Sequence, residues 1–183
     1  MREPLTAESL EAFIRALGNR AKTPARIYLV GGASAVLMGW RTSTIDVDLK
    51  IIPESDEILR SLPQLKEELK INIELASPDD FIPPLPGWQE RSQFIQQRVK
   101  LSFYHYDFYA QALAKIERSH EVDLADVDRM FTSGLIIPEQ LLELFSAIEP
   151  DLYRYPQVDP KSFRRAVEQT VKKYETPLPA DSQ

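Results

Sequence analysis

The chain has 183 residues, 22 Lys or Arg against 28 Asp or Glu, a net charge of -6, a hydrophobic fraction of 43% and no cysteine. That length fills one good core but not two ordinary domains, and the acidic balance excludes a protein that coats nucleic acid over its whole surface, since such binding depends on releasing many phosphate counterions. Without cysteine there are no disulfides, thiolate zinc sites or cysteine nucleophiles, so any metal is expected to be a hard cation held by oxygen. The opening MREPLTAESLEAF lacks the apolar core of a signal peptide, and no apolar run is long enough to span a bilayer. A cytoplasmic protein with no membrane partner is expected.

In chain order, Thr6 or Ser9 is placed to cap a helix with Leu10, Phe13, Ile14 and Leu17 on one side and Gly18 at its end. Arg26 to Val30 reads as a short buried strand, broken by Gly31-Gly32, and Ala33 to Met38 as a small-residue helix. Thr44 to Ile52 alternates with period two, which puts Ile45, Val47, Leu49 and Ile51 on one face and Thr44, Asp46, Asp48 and Lys50 on the other. A helix follows from Ser55, interrupted by Pro63. Ile71 to Ala76 alternates again, with Asn72 and Glu74 on its polar face. Ser77 to Trp88 is dense in proline and reads as a constrained loop. A strand over Arg98 to Tyr104 and helices over Phe108–Ser119, Leu124–Thr132, Pro138–Ile148 and Pro160–Tyr174 complete the pattern. The fold class expected is α/β (α+β), a small mixed sheet flanked by helices over residues 1–105, then a helical part over 106–176 packed on it, then a flexible tail over 177–183.

Asp46 and Asp48, two residues apart on a strand, have Cα atoms roughly 6.5 Å apart and side chains side by side, an arrangement that suits two carboxylates sharing a divalent cation. The same pair also fits a solvated strand face. Aspartate is a poor strand former, however, and two in a β-branched run form a local conflict of the kind that marks function. Glu74 repeats the carboxylate on a second strand, as a third metal ligand or as an acceptor of the proton from an attacking hydroxyl. Gly31-Gly32 at a strand-to-helix junction permits close backbone approach to phosphate. It is neither a Walker loop nor a dinucleotide fingerprint, because the residues that define those motifs are absent.

A hydrophobic-Gly-Gly turn, thirteen intervening residues and then Asp-Val-Asp on a strand resembles the signature of the DNA polymerase β-like nucleotidyltransferase superfamily. GWRTSTIDVDLKI is similar to its AbiEii-type branch, which includes toxin nucleotidyltransferases of bacterial toxin-antitoxin systems; NIELASPDDFIPPLPGW and HYDFYAQALAKIERSHEVDLADV look like one largely uncharacterised bacterial subfamily of that branch. The resemblance spans about Ile27 to Gly134. It implies transfer of a nucleoside monophosphate from an NTP to a hydroxyl, on an RNA end such as tRNA or on a protein, with Mg²⁺ or alternatively Mn²⁺. Asp46, Asp48 and Glu74 would hold the metal. Gly31, Gly32 and Ser34 would line the triphosphate, with Arg41, Ser43 and Thr44 beside them. Lys115 would steady the triphosphate charge and Arg118 would lie one turn along; Asp126 matches a later acidic motif. A cognate antitoxin is an implied partner.

Other readings stand beside these. Lys115 and Arg118 also fit a helix face paired with Glu121 or Asp123. Arg41 also fits a counter-charge to the acids. Lys161, Arg164, Arg165, Lys172 and Lys173 fit either an RNA contact or the outer face of an ordinary helix. A noncatalytic, antitoxin-like binding protein and a Mn²⁺-dependent sugar-nucleotide transferase are the alternative functions; the glycine turn lends the latter no support.

Overall fold

The computed structural model describes residues 3–175. Thr6 caps helix α1 (Ala7–Arg20): its hydroxyl accepts from the Ser9 amide, and the Ser9 hydroxyl accepts from the Thr6 amide. Leu10, Phe13, Ile14 and Leu17 are fully buried on one side of α1. There follow β1 (Ala25–Val30), α2 (Gly31–Leu37), β2 (Asp46–Ile52), α3 (Asp56–Leu69) and β3 (Asn72–Glu74). A one-turn 3-10 segment (Pro78–Asp80) and a short α4 (Trp88–Arg91) lead to β4 (Gln93–Arg98) and β5 (Leu101–His105). Helices α5 (Phe108–Arg118), α6 (Glu121–Thr132), α7 (Pro138–Ile148) and α8 (Pro160–Tyr174) close the chain.

The strands form one mixed sheet in the order β3-β2-β1-β5-β4. β1 runs antiparallel to β2 and parallel to β5, β2 is parallel to β3, and β4 and β5 form an antiparallel hairpin. Alternation along the strands divides the core in two. Ile27, Leu29, Val47, Leu49 and Phe103 pack under α1 and α3, while Tyr28 and Tyr106 face α5, α7 and α8. At about 1.5–3 kcal/mol for each fully buried large apolar side chain, these two layers fix the sheet between helices and set the polar face of β2 toward the C-terminal helices.

Several boundaries differ from the sequence pattern, each for a packing reason. Gly18 does not end α1 but lies inside it; a Cβ there would come 2.6 Å from the Arg98 Cβ as β4 passes, so glycine answers that close approach rather than a helix stop. Pro63 does not interrupt α3, whose stripe of Ile58, Leu62 and Leu65 is buried on both sides of it, so packing outweighs the lost backbone bond. Ile45 is 73% exposed rather than inward-facing, since regular pairing of β2 starts at Asp46 and Thr44 instead bridges to Leu5. The expected strand Arg98–Tyr104 is two strands turning at Val99, which adopts φ 54°. α6 begins at Glu121, three residues before the expected Leu124, and β3 is shorter than Ile71–Ala76.

On α8, Phe163, Val167 and Val171 are buried, and Arg164 on the wet side pairs with Glu149 and Glu168. The expected tail lies outside the described residues. Among them no helix is long and apolar enough to cross a membrane.

Candidate functional site

The register of three strands brings the singled-out residues to one sheet edge. Val30, the last residue of β1, lies opposite Asp48, and Asp48 lies opposite Glu74, while Asp46 lies opposite Asn72. Residues directly opposed on neighbouring strands point to the same face, so Asp46, Asp48 and Glu74 share the face that looks toward α5. The Asn72 amide sits between two of these acids and donates to Asp46 Oδ1 at 2.6 Å and to Glu74 Oε1 at 2.9 Å. Burial, then Glu74, then Asp46 push the Asp48 carboxyl up to about 6, against an opposing pull from Arg118 and Lys115.

The chain leaves β1 through Gly31 at φ +59°, a left-handed conformation that favours glycine. A Cβ at Gly31 would stand 3.3 Å from Asp48 Oδ2, and one at Gly32 would stand 2.0 Å from Thr44 Oγ1. The turn is therefore seated directly on the acidic strand. It is pinned from the other side by Gln111 of α5, which is 2% exposed. Gln111 Oε1 accepts from the Gly31 amide at 3.0 Å, and its Nε2 donates to the Tyr106 carbonyl at 2.7 Å and, more loosely, to Ser34 Oγ at 3.4 Å. Ser34 Oγ in turn shares a 2.7 Å hydrogen bond with His105 Nδ1, and burial drives His105 down to about 4, which keeps the ring neutral.

A second layer of charge lies along α5 and α6. Lys115, 6% exposed, donates to Asp126 Oδ2 at 2.8 Å and to Asp123 Oδ1 at 3.2 Å. Arg118 grips Asp123 with two nitrogens at 2.7 and 2.8 Å. Arg41 holds Asp126 through Nε at 3.0 Å and through Nη2. Burial alone would raise the Asp123 carboxyl, yet the hydrogen bond from Arg118 and the nearby Lys115 hold it below the usual carboxylate range. Between these layers lies a solvent-open cleft with Gly31, Asp48, Gln111, Lys115 and Arg118 in its wall.

A family model described as "nucleotidyltransferase of unknown function" (DUF6036) matches residues 7–175, nearly the whole chain. The chain belongs to this family. No curated protein matches it. Among solved structures, an antigenic nucleotidyltransferase-like protein from Paracoccidioides brasiliensis is similar at 15% identity, with a TM-score of 0.50 over 91% of this chain and 95% of that one. At that identity the likeness speaks for the fold alone, a nucleotidyltransferase-like mixed sheet flanked by helices.

In this member of the family the residues singled out from sequence separate into three groups. Asp48, Gly31, Lys115 and Arg118 meet at the cleft. Asp46 and Glu74 stand beside it on the same sheet face, tied through Asn72; among the described residues no group of three or more Asp, Glu, His or Cys is arranged to hold a metal ion. The rest serve as support: Ser34 is buried beneath the turn, Gly32 admits Thr44, and Arg41 and Asp126 line a separate cleft with Trp40 and Arg129. Ser43 is half-buried and makes no side-chain hydrogen bond among the described residues. Arg41 answers Asp126 rather than the acids of β2. Asp123 is indeed the partner of Lys115 and Arg118, but the face they form is not simply solvated, since Lys115 is buried.

Gln111, which holds the glycine turn, Asn72, which ties two of the acids, and Glu117, in the cleft wall, belong to the site and were not singled out from the sequence. The signal for Gln111 is its spacing: 111, 115 and 118 fall on one helical stripe. Nothing in the local sequence singles out Asn72 except its place between two acids in the paired register.

Proposed function

We propose that this protein is an AbiEii-like nucleotidyltransferase that moves a nucleoside monophosphate from an NTP to a hydroxyl, on an RNA end such as tRNA or on a protein, as a component of a toxin-antitoxin pair. The observation that carries this reading is the seating of the left-handed Gly31 turn against Asp48, in a cleft that also holds Lys115 and Arg118. Glycine there lets a polyphosphate approach the backbone closely, and the two cations lie where pyrophosphate charge would gather.

The donor set fits a hard divalent cation. Asp46 and Asp48 offer only oxygen, and the burial and carboxylate crowding that drive Asp48 up to about 6 are offset by positive charge. These two residues would hold Mg²⁺, with Glu74 as a third carboxylate or as base. When bound, the ion supplies charge neutralisation for the nucleotide phosphates. In the reaction the acceptor oxygen forms a bond to the α-phosphorus, the bond from that phosphorus to the bridging β-oxygen breaks, and pyrophosphate leaves. The hydroxyl proton passes to a carboxylate, and Glu74, the exposed acid of the three, is the one open to an acceptor. Lys115 and Arg118 stabilise the departing charge from α5.

The test is incubation of the purified protein with each α-labelled NTP, Mg²⁺ and either total RNA or a protein extract, with the Asp48→Ala variant alongside. Label that enters one acceptor pool and vanishes with the variant supports the reading. Absence of transfer with all four nucleotides refutes it.

A second reading has its own observation. Gly31 N–H, Lys115 and Arg118 are already engaged by Gln111, Asp123 and Asp126, which favours a noncatalytic binding protein that keeps the acids without turnover. Titration with Mg²⁺ and NTP separates the two: a catalytic site binds and loses binding in Asp46→Asn, whereas the binding-only protein shows no difference.

A further inference from the structure

Away from the cleft, one strip of the sheet face is open to solvent. The register sets Arg26 and Gln97 opposite Ser102, and Tyr28 and Phe94 opposite Tyr104, so these side chains share one face. Toward β1 that face carries buried Tyr28 and lies under the C-terminal helices. Toward the β4 edge, Phe94 is 59% exposed, Arg26 and Gln97 are exposed, and Tyr104 and Ser102 are half-buried. The rings are braced from below: Tyr104 stacks on Tyr28 with centroids 5.3 Å apart, and Tyr28 meets Trp88 at 4.8 Å. Phe94 stands edge-on to Tyr104 at 5.6 Å, and the Arg26 guanidinium lies 5.8 Å over the Tyr104 ring. An uncovered aromatic ring on an edge strand is a liability for a protein alone and an asset once a flat partner covers it.

The rim of this strip is positive although the whole chain carries -6. Lys22, Arg26, Arg98 and Lys100 gather where β1 begins and β4 turns into β5. The Lys100 ammonium donates to the Lys22 carbonyl at 2.6 Å, and the Ala25 amide donates to the Lys100 carbonyl at 3.3 Å. All four cations are exposed, and none has an ion pair among the described residues. The acids at hand are Glu90, which acts on Arg26, and Glu57, which accepts from the Lys22 amide. Four positive charges against two negative ones leave the rim positive. Cations beside uncovered rings suit a polymer that carries phosphates and flat bases together, and only an unpaired strand exposes its base faces. An acidic peptide would answer the cations alone. The Ser102 hydroxyl and Gln97 Oε1 make no hydrogen bond among the described residues, which leaves partners for a ribose 2′-hydroxyl. The strip is also within reach of the acids. Phe94, Tyr104, Tyr28 and Lys50 form one rung across four strands, and Asp48 is two residues from Lys50, so Phe94 lies roughly 16 Å from Asp48 across the sheet.

We propose that the open sheet face around Phe94, Tyr104 and Arg26 binds single-stranded RNA, and that this RNA is the acceptor presented to the cleft. The second half rests on the nucleotidyltransferase reading above; the first does not. The test follows a labelled single-stranded RNA of about 12 nucleotides by fluorescence anisotropy, without NTP or Mg²⁺, alongside its duplex and the single-stranded DNA of the same sequence. The proteins are wild type, Phe94→Ala, Phe94→Trp, Arg26→Ala, Lys100→Ala and Asp48→Ala, each checked for folding by its melting transition. Expected is single-stranded RNA bound about tenfold tighter than duplex or DNA, a loss of about tenfold in Phe94→Ala and recovery in Phe94→Trp. Arg26→Ala and Lys100→Ala should each make the dependence of log affinity on log salt shallower by about 0.7. In the transfer assay Phe94→Ala should raise the KM for RNA and leave kcat and Mg²⁺-NTP affinity unchanged. No RNA binding by wild type overturns the surface and leaves the transferase reading with a protein acceptor. Equal binding of duplex, or affinity indifferent to Phe94, overturns the stacking face, and equal binding of DNA overturns the assignment to RNA. Binding that is lost in Asp48→Ala but kept in Phe94→Ala puts RNA in the cleft and overturns the surface. Binding as expected, with no label transferred to RNA from any NTP, upholds the surface and overturns the acceptor assignment.

Discussion

Replacing Asp48 by asparagine should make the metal-free protein more stable. Folding raises this carboxyl from an ordinary 3.8 to about 6 through burial, Glu74 and Asp46, so the native state binds the proton more tightly than the unfolded chain does. The ionised form is therefore a liability of the fold: the cost is small below about pH 4, grows as pH rises, and is complete above about pH 6. At 1.36 kcal/mol per pH unit the full cost is on the order of 3 kcal/mol, and solvent entering the open cleft reduces this to about 1–2 kcal/mol. Asparagine keeps the shape and removes the charge. For a chain of this size the gain corresponds to roughly 2–8 °C in melting temperature at pH 8, and it should shrink to about a third of that at pH 4.5. The assay is paired thermal melts of wild type and Asp48→Asn with a chelator at both pH values, then with Mg²⁺. Magnesium should raise the melting temperature of wild type more than that of the variant, since a ligand that binds only the native state stabilises it. A variant that melts at or below wild type at pH 8, or whose advantage does not change with pH, would refute the claim that burial and neighbouring acids make the Asp48 charge a liability.

Gly32→Ala forces a Cβ to within 2.0 Å of Thr44 Oγ1 and should destabilise the protein by about 1–3 kcal/mol by chemical denaturation; adding Thr44→Gly should recover most of the loss, and independent, additive effects would count against the contact. Gln111→Ala strips an acceptor from the Gly31 amide and donors from Tyr106 and Ser34, so a loss of about 1–3 kcal/mol is expected together with weaker tripolyphosphate binding; stability loss with unchanged binding would limit Gln111 to packing. Asp126→Ala leaves buried Lys115 without its shorter ion pair and Arg41 without a partner, which should cost about 3–5 kcal/mol in equilibrium unfolding. The same substitution at Asp151, a half-buried acid with no ion pair among the described residues, serves as the control and should change little.

The elements that set the site were legible because their signals are local. Alternation placed Asp46 and Asp48 on one face, and β2 presents them so; the apolar stripes of α1, α5, α7 and α8 are buried much as their periodicity requires. What escaped depends on distant contacts. Gln93–Arg98 has no clean alternation because β4 is an edge strand, exposed or half-exposed along its length. Gly18 looked like a helix stop, since nothing in its neighbourhood reveals that Arg98 passes 80 residues later. Arg41 looked like a partner for the nearby acids on β2 and instead crosses to α6, because the fold brings Asp126 to it.

Charge arithmetic joins the two layers of the site. Lys115, Arg118 and Arg41 contribute three positive charges and Asp123 and Asp126 two negative ones, which leaves one net positive charge along α5 and α6. Across the cleft, Asp46, Asp48 and Glu74 contribute three negative charges on one sheet face. The sum is -2, the complement of one divalent cation. A triphosphate alone would deepen the deficit, and a cation alone would leave Lys115 and Arg118 turned toward their aspartates. With both bound, the cation answers the carboxylates of the sheet face while Lys115 and Arg118 reach phosphate and still hold the buried Asp123, so that no buried charge is left unanswered. Binding of cation and polyphosphate should therefore be mutually dependent, each tightening the other by the same factor, as linkage requires.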